Sequence, residues 1–175
     1  MTTQLLVMSK AKSGAEMAYL DWYRNQHLPD MTAVPGIVGG AVHKLAVAGD
    51  DARWKVAALY ELTLPVSDIL AEVFERAGGE AMPLTDTIDG ASVLMLSAEP
   101  IGPRRLAGGA IDRGDAMRYV VPTTPVAGKD EAFHAWYDDD HVADVLAVPG
   151  FVAAQRFRLA EETAGKSSPW RYLAL

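Results

Sequence analysis

The sequence predicts an α+β protein made by tandem duplication of one strand-helix-strand, strand-helix-strand unit, and three observations predict it. First, Trp22-Tyr23, His27 and Val34-Pro35-Gly36 recur as Trp136-Tyr137, His141 and Val148-Pro149-Gly150 at a constant offset of 114 residues (136 − 22 = 141 − 27 = 149 − 35). The segments around them, AYLDWYRNQHLPDMTAVPGIVGGAVHKLA and AFHAWYDDDHVADVLAVPGFVAAQRFRLA, align without a gap and also share Asp30/Asp144, Val38/Val152 and Leu45/Leu159. Second, stretches with helical period alternate with short apolar runs bounded by turn residues. Third, those runs are apolar on both parities, so both faces of their sheet require cover.

The elements follow in order. Gln4 to Ser9 is a strand, with Leu5/Val7 and Leu6/Met8 apolar on opposite faces. Ala15 to Leu28 carries the helical period through Ala18, Tyr19, Trp22, Tyr23 and Gln26. Pro29 lacks an amide hydrogen and restricts Leu28, so a kink or a fresh helical turn should begin there. Ala143 holds that position in the second copy, where the helix should run straight on. Pro35-Gly36 ends the helix, and Ile37 to Val47 is a strand in which Gly39 and Gly40 predict a bulge or a close approach to the backbone. After the turn Ala48-Gly49-Asp50-Asp51, Arg53 to Leu62 is its hairpin partner. Pro65 to Ala77 is a shorter helix, with Ser67 or Asp68 as cap and Glu72 one turn before Arg76. Ala91 to Ser97 is the last strand of the first copy.

Residues 1–98 thus form the first repeat, residues 99–115, rich in proline, glycine and charge, a linker, and residues 116–175 the second repeat. The second repeat has a strand near Arg118 to Thr123, a helix from Lys129 to Ala147, a strand from Phe151 to Leu159, and WRYLAL. At an offset of 116, WRYLAL matches the third strand of the first copy, so the second copy is expected to lack its second helix and fourth strand.

Composition excludes several function classes. With 16 basic against 23 acidic residues, a net charge of −7 and scattered positive charge, nucleic acid is not an expected partner. The chain has no cysteine, which removes disulfide, thiolate and cysteine-metal chemistry. No apolar run reaches the roughly 18 residues of a membrane span and no signal peptide is apparent, so a cytoplasmic location without membrane partners is expected.

A unit of this order whose first helix carries Trp-Tyr-x-x-x-His and ends in Val-Pro-Gly resembles the dimeric α/β barrel superfamily, and within it the EthD-like family. The resemblance covers about 30 residues of each copy by motif and most of the chain by strand order. It implies a ferredoxin-like (βαββαβ) half-barrel in each copy, the two sheets packed face to face with helices outside, the second copy truncated after its third strand. The truncation departs from that pattern and leaves an edge exposed, which a homodimer, or pairing of the edge with the linker, is expected to cover. Relatives so implied include cofactor-free monooxygenases, polyketide cyclases, lactone isomerases and haem-degrading enzymes.

The candidate chemistry lies in the repeated helix. At 100° per residue, Trp22 and His27 point about 140° apart, whereas Tyr19, Tyr23, His27 and Asp30 share a stripe, as do Phe133, Tyr137, His141 and Asp144. Trp22 and Trp136 are then the anchors of the helix on its sheet. His27 or His141 is the candidate acid/base, Asp30 or Asp144 the carboxylate that orients it and raises its pKa, and Tyr23 or Tyr137 the donor to a developing oxyanion. The expectation is a cofactor-independent enzyme, of cyclase, isomerase or monooxygenase type, acting on an apolar aromatic or polyketide-like molecule in the barrel. The competing reading is a non-catalytic ligand-binding or assembly protein in which each histidine braces the fold. No cofactor is implied; haem is the alternative. Two ligands per copy make a poor metal site, and Asp138-Asp139-Asp140 reads as a solvated helix face. His43 and His134 lack counterparts in the other copy and are read as surface or core positions.

Overall fold

A computed structural model describes residues 2–46, 51–109 and 117–175. Part of the turn at 48–51 and the end of the linker, 110–115, lie outside the described residues. The fold is α+β with antiparallel strand pairing, and the chain divides into two compact units. One consists of Thr2–Ser97 with Glu162–Ser167, the other of Ala98–Glu161 with Ser168–Leu175.

The first unit begins with β1 (Thr3–Ser9), followed by α1 (Glu16–Trp22), a π turn (Tyr23–His27) and α2 (Leu28–Thr32). Strands β2 (Ile37–Lys44) and β3 (Val56–Leu62) form the expected hairpin, and α3 (Val66–Arg76) leads through a 3-10 turn (Gly90–Ser92) into β4 (Leu94–Pro100). The strands lie in the order β2-β3-β1-β4. On one face of this sheet Leu5, Val7, Ala58 and Tyr60 meet Tyr19, Tyr23 and Met31 from the first helical segment and Ile69, Leu70 and Val73 from α3, in one buried apolar cluster. Each of the larger side chains contributes roughly 1.5–3 kcal/mol by leaving water. The opposite parity, Leu6, Met8, Ala57 and Leu59, is buried too, as the two-sided apolar pattern requires.

The two glycines of β2 behave as their positions predict. Pairing with β3 slips between Ile37 and Gly39, which is the bulge. A Cβ on Gly40 would lie 2.9 Å from both Leu28 Cδ1 and Tyr60 Cδ1, so the bare backbone lets the helix sit against the strand. At α3 the Glu72–Arg76 pair forms, with Nη2 2.6 Å from Oε1. The expected cap does not. Pro65 precedes the first turn with no side-chain cap, its ring fixing φ at −53°, while the Ser67 hydroxyl donates to Asp68 instead.

Within this unit a small hairpin, β9 (Glu162–Thr163) and β10 (Lys166–Ser167), packs beside β4. The Ser97 amide donates to Thr163 Oγ1 at 3.0 Å, and Lys166 Nζ to the Val93 carbonyl at 2.8 Å.

The second unit pairs the end of β4, Ala98 to Pro100, with β8 (Arg156–Leu159), then β8 with β11 (Tyr172–Ala174) and β11 with β6 (Val121–Thr123). Pro122 is tolerated because β6 ends the strand order, where its missing donor breaks no inner ladder. The helical segment runs through α4 (Asp130–Trp136), a π turn (Tyr137–His141) and α5 (Val142–Ala147). A further pair, β5 (Arg105–Leu106) with β7 (Ala153–Ala154), draws the stretch read as linker into hydrogen bonding. The strand expected over Phe151 to Leu159 is therefore interrupted at Gln155.

Candidate functional site

The repeated helix departs from α geometry at the same place in both units. The Leu28 amide bonds the Tyr23 carbonyl and the Val142 amide the Tyr137 carbonyl, five residues back in each case. A fresh α segment begins at Leu28, as the proline suggests. It begins equally at Val142, where Ala143 follows, so the expectation that the second helix runs straight fails and proline is not the cause.

The π turn overturns the angular argument for the tryptophans. Closing a turn over five residues aligns positions five apart, so Trp22 stacks on His27 with ring centres 4.6 Å apart and planes 17° apart. Trp136 stacks on His141 at 4.5 Å and 21°. The tyrosine between them meets the imidazole edge to face, at 5.0 Å for Tyr23 and 4.9 Å for Tyr137. The tryptophans are not the buried anchors either. Trp22 is half-buried and donates through Nε1 to the Pro83 carbonyl at 3.3 Å, and Trp136 is 47% exposed. Tyr19 and Tyr23 anchor the first helix, and Tyr137 is the buried aromatic of the second.

Tyr23 is 3% exposed and accepts a hydrogen bond from Tyr60 Oη at 3.1 Å, while Tyr19 shares one with Ser9 Oγ at 2.7 Å. Burial raises the pKa of all three tyrosines, most strongly for Tyr23, where Tyr60 reinforces the effect; Tyr19 is partly relieved by Ser9. All are neutral donors at physiological pH. Tyr137 is likewise raised by burial and opposed by Arg156.

For His27 the expected effect of Asp30 is reversed. Burial dominates and lowers its pKa to about 4, with the Asp30 charge opposing only in part. The Asp30 carboxylate is occupied by Gln26, whose Nε2 donates to Oδ2 at 2.9 Å and to Oδ1 at 3.1 Å. His27 Nδ1 is buried without a hydrogen-bond partner. In the second unit Asp140 stands where Gln26 does, and Asp144 is exposed. His27 with Tyr23, and His141 with Tyr137, are thus brought together, whereas neither carboxylate is placed as an orienter by a hydrogen bond to its histidine.

A second constellation was not anticipated. Arg156, 5% exposed, lies with its guanidinium 4.3 Å from the centre of the Tyr137 ring and 5.5 Å from that of Phe133. Its Nη2 is 2.8 Å from His134 Nδ1, and since arginine can only donate, that nitrogen accepts. Its Nη1 is 2.8 Å from Asp138 Oδ2 but off the N–H axis, so the charges pair while the hydrogen bond is not made. Arg105 Nη1 donates to the Asp138 carbonyl at 2.5 Å. Only the in-register comparison marks these residues, because the first copy holds Val42, Leu20 and Arg24 where the second holds Arg156, His134 and Asp138.

Among the described residues no group of three or more histidines, aspartates or glutamates is arranged to hold a metal ion, and no helix is long and apolar enough to cross a membrane. The chain matches no protein-family model and no curated protein.

Proposed function

We propose that the chain is a duplicated ferredoxin-like protein of the EthD-like kind that binds an apolar small molecule on the sheet face opposite its helices, and that its Trp-Tyr-x-x-x-His motifs are braces. The β2-β3-β1-β4 order around two helical crossovers supports the ferredoxin-like reading of the first repeat. The carrying observation for the braces is that the same aromatic stack is built twice to within 0.1 Å (4.6 against 4.5 Å), with His27 held neutral. A base whose pKa lies near 4 is poorly matched to proton transfer at neutral pH. Tyr23 joins the core on the helix side of the sheet, and Trp22 packs against that core. The side chains of the opposite face, Leu6, Met8 and Leu59, are apolar and withdrawn from water, so a guest there would be enclosed among apolar atoms.

The test uses the neutral fluorescent probe N-phenyl-1-naphthylamine with the full chain and with His27→Gln/His141→Gln. Saturable binding of equal affinity in both proteins is expected. No binding to the wild type, or loss of binding in a variant that remains folded, overturns the reading.

One observation favours the catalytic alternative. His27 Nδ1 is buried and unpartnered beside a π turn, a backbone feature often found at functional sites. On that reading His27 or His141 serves as acid/base in a cofactor-independent cyclisation, isomerisation or oxygen insertion. Turnover that survives His27→Ala/His141→Ala in a folded protein rules it out.

A further inference from the structure

The sequence repeat and the strand pairing together give the residues of β6 counterparts in β1. Val7 faces Ala58 and Ser9 faces Val56 across β1 and β3, while Val121 faces Ala174 and Thr123 faces Tyr172 across β6 and β11, at the offsets of 114 and 116 residues found in the sequence. Tyr119 then corresponds to Leu5, Val148 to Val34 and Phe151 to Ile37. In the first unit Leu5, Val7, Val34 and Ile37 are at most 8% exposed and share one buried cluster with Ile69, Leu70 and Val73 of α3. In the second unit Tyr119, Val121 and Val148 are 60%, 40% and 49% exposed. The place that α3 fills in one unit is open to water in the other. We propose that this open face receives a single amphipathic helix of a partner protein, with apolar residues at the i, i+1, i+4 spacing of Ile69, Leu70 and Val73. This goes beyond the preceding reading and does not depend on it.

The exposed side chains adjoin. The Tyr119 ring centre is 5.3 Å from that of Phe151, and the Phe151 amide donates to the Val148 carbonyl at 3.3 Å. Tyr119, Val121 and Val148 together expose on the order of 300 Å², a size at which an apolar patch marks an interaction site but well short of the roughly 800 Å² per partner that a stable dimer buries. The area therefore fits one helix better than a second copy of the chain. An added strand is disfavoured as well, because Pro122 offers no amide to the outer edge of β6.

The first unit also shows a polar contact that such a helix would repeat. Arg76 Nη1, at the end of α3, donates to the Ala33 carbonyl at 3.5 Å. The matching residue, Ala147, is the last of α5, where the carbonyls of a helix carry partial negative charge. A basic residue one turn beyond the apolar stripe of the partner helix is thus complementary to that end of the face.

The probe is a fluorescein-labelled peptide of residues 64–77, LPVSDILAEVFERA, held helical by a hydrocarbon staple between positions 67 and 71, which are exposed in α3. It is titrated with the full-length protein and followed by fluorescence anisotropy. Saturable binding is expected. Leu70→Asp in the peptide should weaken it at least tenfold, and so should Val121→Asp or Val148→Asp in the protein, each checked for folding by circular dichroism, with Tyr119→Ser in reserve for either that fails to fold. Val38→Asp, at an exposed position of β2, should leave binding unchanged. No saturation, or equal binding of a peptide with the same residues in scrambled order, would overturn the proposal. So would binding that survives both Val121→Asp and Val148→Asp, since the peptide would then sit elsewhere, as by displacing α3 from the first unit. A dimer in sedimentation velocity that the same substitutions abolish would give the face to a second copy and overturn it too.

Discussion

At the residue scale, His27 shows how burial can defeat a neighbouring charge. Its folded pKa of about 4 lies below the ordinary value of about 6.5, so the unfolded chain binds a proton over a range in which the folded protein does not. Its neutral form is therefore stabilising above about pH 6.5, and that contribution is lost as pH falls from there toward 4. The size is on the order of 3 kcal/mol if the whole shift is expressed. His27→Gln should flatten the dependence of unfolding free energy on pH between 4 and 6.5, measured by urea titration. An unchanged slope would place the imidazole in water. The shift was not legible in the sequence, because Asp30 three residues away suggests the opposite sign. What decides it is that Gln26 takes the carboxylate while the ring is shut between Trp22 and Tyr23.

At the element scale, the strand–helix contact rests on Gly40. A methyl group there would press on Leu28 and on the buried ring of Tyr60, and Gly40→Ala is expected to lower stability by about 1–3 kcal/mol, read as a fall in the urea midpoint. The bulge and the close approach were legible, since two adjacent glycines in an apolar strand have few other uses. The π turn was not. Sequence periodicity assumes 100° per residue, and one turn closed over five residues is enough to turn a predicted divergence of Trp22 and His27 into a stack. The recurrence of Trp-x-x-x-x-His at identical spacing was the available signal, since five-residue spacing is the register a π turn aligns.

At the scale of the whole molecule, the internal sequence repeat made most elements readable, because each half could be checked against the other. Arg156 read alone is one more surface charge on a strand, and it stands out only against Val42 at the same place in the first copy. The two copies therefore supply a direct comparison of polar and apolar packing at one position. His134→Leu/Arg156→Met, approximating the packing of the first copy, should leave stability unchanged or raise it by about 1–4 kcal/mol in urea unfolding. A substantial loss would mean that the charge group stabilises the fold in its own right.

The hairpin Glu162–Ser167 belongs by its contacts to the unit formed mostly by residues 2–97. The boundary between the two units therefore does not follow chain order. A single cut between them no longer yields two whole parts, for the earlier portion would lose Thr163 from the Ser97 amide and the later one would carry a piece that folds elsewhere. Neither unit is written in one uninterrupted stretch of the sequence.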